Sequence, residues 1–272
     1  MKEKVITTNN YLSISKLTGM DFTINPYVGC PHACKYCYAL FMKRFTNHGE
    51  PWGDFVDVKL CNKPINLKKI KGKKIFISSV TDAYNPYEKR YEITRKILEQ
   101  LKSSDAIVEI TTKSDLILRD LDLLKQFRNL TVAFSINTLD EKFQSDMDRA
   151  PAIGHRIEAL KILYEAGIST VLFMSPIFPY ITNFQAIMEN TRDFVGEYWF
   201  ENLNLRMPYK PIIMQYIKQQ YPQFYGEYVK IFHSNDNSYW KNLRSNIEEY
   251  CLKNDIAFEG YFHYGSVNGQ MD

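Results

Sequence analysis

Between residues 22 and 205, short β-branched or aromatic segments alternate with longer amphipathic ones, and this alternation limits the chain to few architectures. Strands are expected at Phe22–Asn25, Lys74–Ser79, Ile107–Thr111, Thr131–Ile136, Thr170–Met174 and Tyr198–Leu205. Helices are expected between them, at Leu40–Phe45, Tyr87–Leu101, Asp115–Gln126, His155–Ala166 and Asn183–Val195. Ile93, Ile97, Leu98 and Leu101 fall on one helical face, and Gly167 suits a C-cap. Strand–helix–strand alternation implies right-handed crossovers and a parallel sheet. From Pro208 the pattern changes to helical, aromatic-rich stretches at Pro211–Tyr221, Gln223–Ser234 and Ser238–Asn254, with one more strand at Ile256–Glu259. The expected division is residues 1–205 as an α/β unit and 206–272 as an appendage closing its mouth.

A chain of 272 residues can bury a full core without disulfides. The formal charge of +3 is too small to argue for nucleic acid by itself. The first residues show no apolar core of a secretory signal, and no stretch approaches a membrane span, so a cytoplasmic location without membrane attachment is expected. The basic run Lys68, Lys69, Lys71, Lys73, Lys74 reads as a solvated turn.

Five cysteines are present, and an odd count argues against a disulfide framework. Three fall within eight residues, as Cys30-Pro-His-Ala-Cys34-Lys-Tyr-Cys37. A structural zinc site wants four ligands, commonly as two separated pairs, and no second pair follows. His32 as a fourth zinc ligand stays open. An iron–sulfur cluster also takes thiolates from a short loop, and three of them leave one iron free for a ligand. Cys61 and Cys251 are isolated and read as free buried thiols.

C-x3-C-x-aromatic-C, here Cys30, Cys34, Tyr36 and Cys37, resembles the signature of the radical S-adenosylmethionine (SAM) enzymes. The resemblance implies a partial (β/α)6 barrel of TIM type with a helical C-terminal appendage. It implies one 4Fe–4S cluster on Cys30, Cys34 and Cys37, whose free iron takes the amine and carboxylate of SAM. Reduction then releases a 5′-deoxyadenosyl radical that removes hydrogen from a substrate. Two further cysteines are too few for an auxiliary cluster.

The same resemblance places cofactor contacts at the carboxyl ends of the strands. The second strand ends Ser78-Ser79-Val80-Thr81-Asp82, where most of the family carry a Gly-Gly-Glu type of motif. Ser79, Thr81 and Asp82 instead resemble the spore photoproduct lyase-like branch, although Asp82 is also a plausible cap. Lys113, just past the third strand, matches a lysine that pairs with the SAM carboxylate in that branch; the alternative is a solvated lysine. Ser135 and Asn137 alternate onto one strand face and suit ribose or carboxylate. Arg149 lies in a segment resembling one that approaches the cofactor, and Met174 ends an apolar strand of the kind that packs on adenine. Tyr36 precedes the third cysteine. Tyr38 matches a tyrosine that returns hydrogen to a product radical. The lyases' hydrogen-donor cysteine aligns with Val80, so photoproduct repair itself is not expected.

The run from Asn25 to Asp57 is similar to the radical SAM mobile pair B proteins, which implies a second radical SAM protein as partner and a reductant such as flavodoxin or ferredoxin. The expected substrate is a nucleic acid base or a protein or peptide side chain. A small metabolite, and a non-catalytic iron–sulfur or zinc module, are the alternatives.

Overall fold

A computed structural model describes residues 1–234 and 236–264. Its strands are β1 (Lys2–Thr7), β2 (Leu12–Ile14), β3 (Phe22–Ile24), β4 (Tyr27–Val28), β5 (Phe55–Leu60), β6 (Lys74–Ile77), β7 (Ile107–Thr112), β8 (Leu130–Ser135), β9 (Ser169–Ile177), β10 (Glu197–Asn202) and β11 (Phe258–Tyr261). Its α-helices are α1 (Glu88–Tyr91), α2 (Ile93–Leu101), α3 (Leu121–Leu124), α4 (Glu141–Met147), α5 (Ile153–Glu165), α6 (Phe184–Thr191), α7 (Lys210–Gln220), α8 (Pro222–His233) and α9 (Ser238–Lys253).

Eight strands form one sheet in the order β11-β10-β9-β8-β7-β6-β3-β2. All neighbours in it are parallel except β2 and β3. The six expected strands are β3 and β6 to β10, and with their intervening helices they make the partial barrel. Side chains alternate along each strand, and the sheet separates them into two environments. Ile75, Val108, Val132, Leu172, Met174 and Phe200 face the helices and merge with Ile97, Leu98, Leu160 and Leu163 in the main core. On the opposite, concave face Ala133, Val171 and Trp199 form a separate small cluster with Phe173.

The chain departs from the expected pattern in identifiable places. A second sheet, ordered β1-β5-β4, has no counterpart in the sequence reading. Phe55, Val56, Asp57 and Val58 of β5 are all buried, so the strand lacks the alternation that marks a half-buried one. The expected helix over residues 87–101 breaks at Glu92, which takes φ +52°. Glu88 is buried there and its carboxylate accepts the Thr94 and Arg95 N–H groups at 2.9 and 3.2 Å, capping α2 from inside the core. The expected helix over 115–126 begins as a 3-10 helix, Asp115–Asp120, before α3, and the segment Tyr38–Phe45 is 3-10 throughout. Helix α4 is polar in sequence and is nucleated by Asp140, whose carboxylate accepts the Lys142 and Phe143 N–H groups.

Residues after 206 supply α7 to α9 and β11, and β11 pairs in parallel with β10. Residues 265–272 of the expected appendage lie outside the described residues. Among the described residues no helix is long and apolar enough to cross a membrane.

Candidate active site

The three clustered cysteines lie in a loop after β3 and β4, at the carboxyl end of the parallel sheet, where open α/β sheets collect their chemistry. Two turns shape the loop: Ala33 N–H donates to the Cys30 carbonyl and Cys37 N–H to that of Cys34, both at 3.1 Å. The surroundings strap it down. Lys35 N–H reaches the Met147 carbonyl at 2.9 Å, Arg149 N–H reaches that of His32 at 2.7 Å, and the Thr81 hydroxyl reaches that of Gly29 at 2.8 Å. Gly29 holds φ +83°, and a Cβ there would lie 2.3 Å from the Phe55 carbonyl oxygen.

All three thiols are free. Burial pushes the Cys30 thiol well up, with the Asp82 carboxylate and the other two sulfurs adding to it. Burial also raises Cys34, against Lys113 and Arg156, and raises Cys37. Thiolates therefore persist here only when a metal centre takes their charge. Among the described residues no three His, Cys, Asp or Glu side chains converge as ligands of a single metal ion.

Asp82 is buried and fully engaged. Its carboxylate accepts the Thr112 hydroxyl, the Lys113 N–H and the Tyr84 N–H, each at 2.8 Å, and lies 3.2 Å from His32 Nε2. Burial pushes its pKa up, but the His32 ring and these donors outweigh it and hold the carboxyl below the usual carboxylate range. Asp82 thus ties the cysteine loop to the ends of β6 and β7. Ser79 is buried and its hydroxyl accepts the Asn25 amide at 2.7 Å.

Lys113 lies half-buried with its ammonium 5.7 Å from the centre of the Tyr36 ring. It makes no ion pair within 4.0 Å among the described residues, although its charge acts on Cys34, Cys37 and Asp148. An ammonium without an ion-pair partner is free to attract an anionic group. The Tyr36 ring itself is buried against Phe178 and its hydroxyl donates to Asp148. Tyr38 is different: its ring is exposed while its hydroxyl turns onto the Ser79 carbonyl. Ser135 is buried at the end of β8, and the Asn137 amide donates to the Pro176 carbonyl at 3.0 Å.

Two expected contacts are placed elsewhere. Arg149 is exposed and pairs with Asp54 at 2.9 Å; the buried member of that segment is Asp148, which accepts Arg156 at 2.8 Å. Met174 faces the helices as the register partner of Phe200, so the period of two puts Phe173 and Ser175 on the concave face instead. Sequence reasoning weighed His32 only as a zinc ligand and passed over Asp148 and Arg156, and also Glu201, whose carboxylate bonds Ser175 and lies 3.2 Å from His263. The signal for Asp148 was present, since it is adjacent to the arginine that was singled out. Of the isolated thiols, Cys251 is buried and pushed up to about 11, whereas Cys61 is only half-buried.

Residues 24–189, well over half of the chain, match the radical SAM superfamily. The chain belongs to that family. It is 41% identical over 249 residues to an uncharacterised protein of Methanocaldococcus jannaschii, covering 90% of this chain and 92% of that one. It is 36% identical over 179 residues to an uncharacterised protein of Acidianus two-tailed virus, covering 61% and 59%. Spore photoproduct lyase complexed with dinucleoside spore photoproduct shares the fold at a TM-score of 0.58 and 17% identity, over 80% of this chain and 66% of that one. SuiB of Streptococcus suis bound to SAM does so at 0.56 and 16%, over 89% and 49%. As a radical SAM enzyme the chain uses a 4Fe–4S cluster and SAM and needs a reductant.

Proposed function

We propose that Cys30, Cys34 and Cys37 hold the cluster and that this chain opens SAM reductively to remove hydrogen from a macromolecular substrate. The cluster supplies the electron that breaks the sulfonium bond. The protein supplies placement and exclusion of water. Lys113 takes the SAM carboxylate. Ser135 and Asn137 offer hydrogen bonds to the ribose, and Ser79 and Thr81 border the methionine end. Asp82 acts through the backbone of Lys113, which it holds at 2.8 Å. Tyr38 stands next to Cys37 with its ring exposed and would return hydrogen to a product radical.

The observation that carries this reading is the Lys113 ammonium, whose charge acts on the Cys34 and Cys37 thiols and which forms no ion pair of its own within 4.0 Å among the described residues. The segment after residue 206 closes the mouth, supported by the His263 contact to Glu201 and by Tyr209, which feels the charges of Cys37 and Glu201. A second radical SAM protein of the mobile pair, and flavodoxin or ferredoxin as reductant, complete the system in the cytoplasm, where thiols stay reduced.

The test is anaerobic. The protein is reconstituted with iron and sulfide, given dithionite and SAM, and assayed for 5′-deoxyadenosine by mass spectrometry beside the Cys30→Ala, Cys34→Ala, Cys37→Ala triple variant. Formation that depends on the cysteines is expected. Tightly bound zinc with no cluster would sink the reading in favour of a metal module.

A further inference from the structure

Trp52 is buried, 8% exposed, and among the described residues its indole N–H has no hydrogen-bond partner. A buried indole ordinarily keeps a partner for that hydrogen, because an unpaired donor in the interior is costly. The backbone holds the ring where it is. Asp54 N–H donates to the Pro51 carbonyl at 3.0 Å, closing a tight turn, and Lys2 N–H reaches the Asp54 carbonyl at 2.9 Å. Gly53 completes the turn at φ +101°, and a Cβ there would lie 2.6 Å from the Ala33 Cβ. The turn that carries Trp52 is therefore seated directly on the cysteine loop. The indole packs with Ala39 and Phe55, meeting the Phe55 ring edge to face at 5.6 Å, and Cys37 lies against the same small apolar cluster.

The three cysteines differ in what supports a charge on sulfur. Cys34 is helped by the charges of Lys113 and Arg156, and Cys30 by the His32 N–H. Cys37 stands at the start of the 3-10 helix Tyr38–Phe45, and the N–H groups of Ala39 and Leu40 favour its charged form together with the Trp52 side chain. A neutral thiol is a weak acceptor, so it leaves the indole N–H poorly served. A thiolate bound to iron is a better one, because it carries negative charge. That charge grows when an iron–sulfur cluster takes up an electron. An N–H aimed at the sulfur then stabilises the reduced form more than the oxidised form, and raises the reduction potential.

We propose that the Trp52 indole N–H donates to the iron-bound sulfur of Cys37 and thereby raises the potential at which the cluster is reduced. Trp52 is a positioning residue, since it acts through Cys37. The inference rests on the reading that Cys30, Cys34 and Cys37 hold the cluster. It gives the orphaned indole hydrogen an acceptor, and it makes Trp52 one of the groups that set which reductants can deliver the electron.

The reconstituted protein is titrated anaerobically with dithionite against mediator dyes, without SAM, and the reduced fraction is read by electron paramagnetic resonance. The parent is compared with Trp52→Phe and with protein carrying benzothienylalanine in place of Trp52, which keeps the ring's shape and has sulfur where the N–H was. In both substituted proteins the equilibrium constant for reduction should fall about tenfold, a midpoint about 59 mV more negative for one electron. Loosened packing alone would admit water, which favours the more highly charged reduced cluster, and would move the midpoint the other way. An unchanged or raised midpoint in the benzothienylalanine protein overturns the proposal.

A second readout needs no change of side chain. Protein whose tryptophans carry the heavy nitrogen isotope at the indole is reduced and examined by electron–nuclear double resonance. A weak coupling of that nitrogen to the cluster is expected, and its absence overturns the proposal even if a substituted protein fails to take up iron. Labelled Trp52→Phe retains Trp199 and Trp240, so a coupling that survives there also overturns it. A parent that takes up no cluster removes the reading of the three cysteines, and this inference with it. A parent with a reducible cluster and no indole coupling removes this inference alone.

Discussion

The Tyr36 hydroxyl donates to Asp148 Oδ2 at 3.0 Å across 112 residues of chain. The aromatic residue before the third cysteine is thereby anchored to the segment between α4 and α5. Asp148 also accepts the Gln144 amide at 2.6 Å, the Ala150 N–H at 3.1 Å and the Arg156 guanidinium at 2.8 Å, and Arg156 is wholly buried. Asp148→Asn leaves that cation without its countercharge and is expected to cost about 3–5 kcal/mol. Tyr36→Phe removes one hydrogen bond and should cost only about 1 kcal/mol. Urea unfolding of the two variants beside the parent separates these values.

Lys113→Met should weaken SAM binding by about tenfold to a hundredfold, the worth of one charge-assisted hydrogen bond. The iron content after reconstitution should stay at the parent level, because Lys113 is not a thiolate donor. Equilibrium dialysis with labelled SAM gives the affinity. Unchanged binding would show that Lys113 is a solvated lysine.

Asp82→Ala strips an acceptor from the Thr112 hydroxyl and from the Lys113 and Tyr84 N–H groups, all at buried or half-buried positions. Stability should fall by about 2–4 kcal/mol as these donors lose their partner. SAM affinity should fall with it, since the backbone of Lys113 is released. Denaturation and dialysis on the same preparation test that coupling, and a fall in affinity alone would make Asp82 a direct contact.

Glu109 titrates in the opposite sense from most carboxylates. Burial and its acidic neighbours raise it from 4.5 to about 7. The folded state therefore holds a proton that the unfolded chain has released, so stability declines as pH rises from about 4.5 to about 7 and stays low above. Glu109→Gln should remove that decline, gaining on the order of 1–2 kcal/mol at pH 8 and nothing at pH 4. Melting curves across this range give the answer; equal gains at both ends would exclude an ionisation effect.

The six parallel strands were legible because each carries its own local pattern, and the cysteine loop because its spacing is a chemical statement. The small sheet was not. Strand β1 is mostly exposed and pairs with β5, whose first residue lies 53 positions on from its partner Lys2, so neither strand carries a local signature of the pairing. Glu109 and its acidic neighbours Glu197 and Glu259 escaped for a different reason. A polar residue at every second strand position ordinarily means solvent, but here that side of the strand faces the lumen of a curled sheet. The same alternation misplaced Met174, since an apolar strand end does not announce which of two buried faces it serves.

Strand β11 joins β10 late in the chain, and Asn202 and His263 then lock together by two hydrogen bonds of 2.9 and 2.7 Å. During synthesis β10 therefore waits as a bare parallel edge, with Trp199 uncovered, until residues 258–263 have left the ribosome. The wall behind the acidic side of the lumen is the last part of the sheet to be laid down.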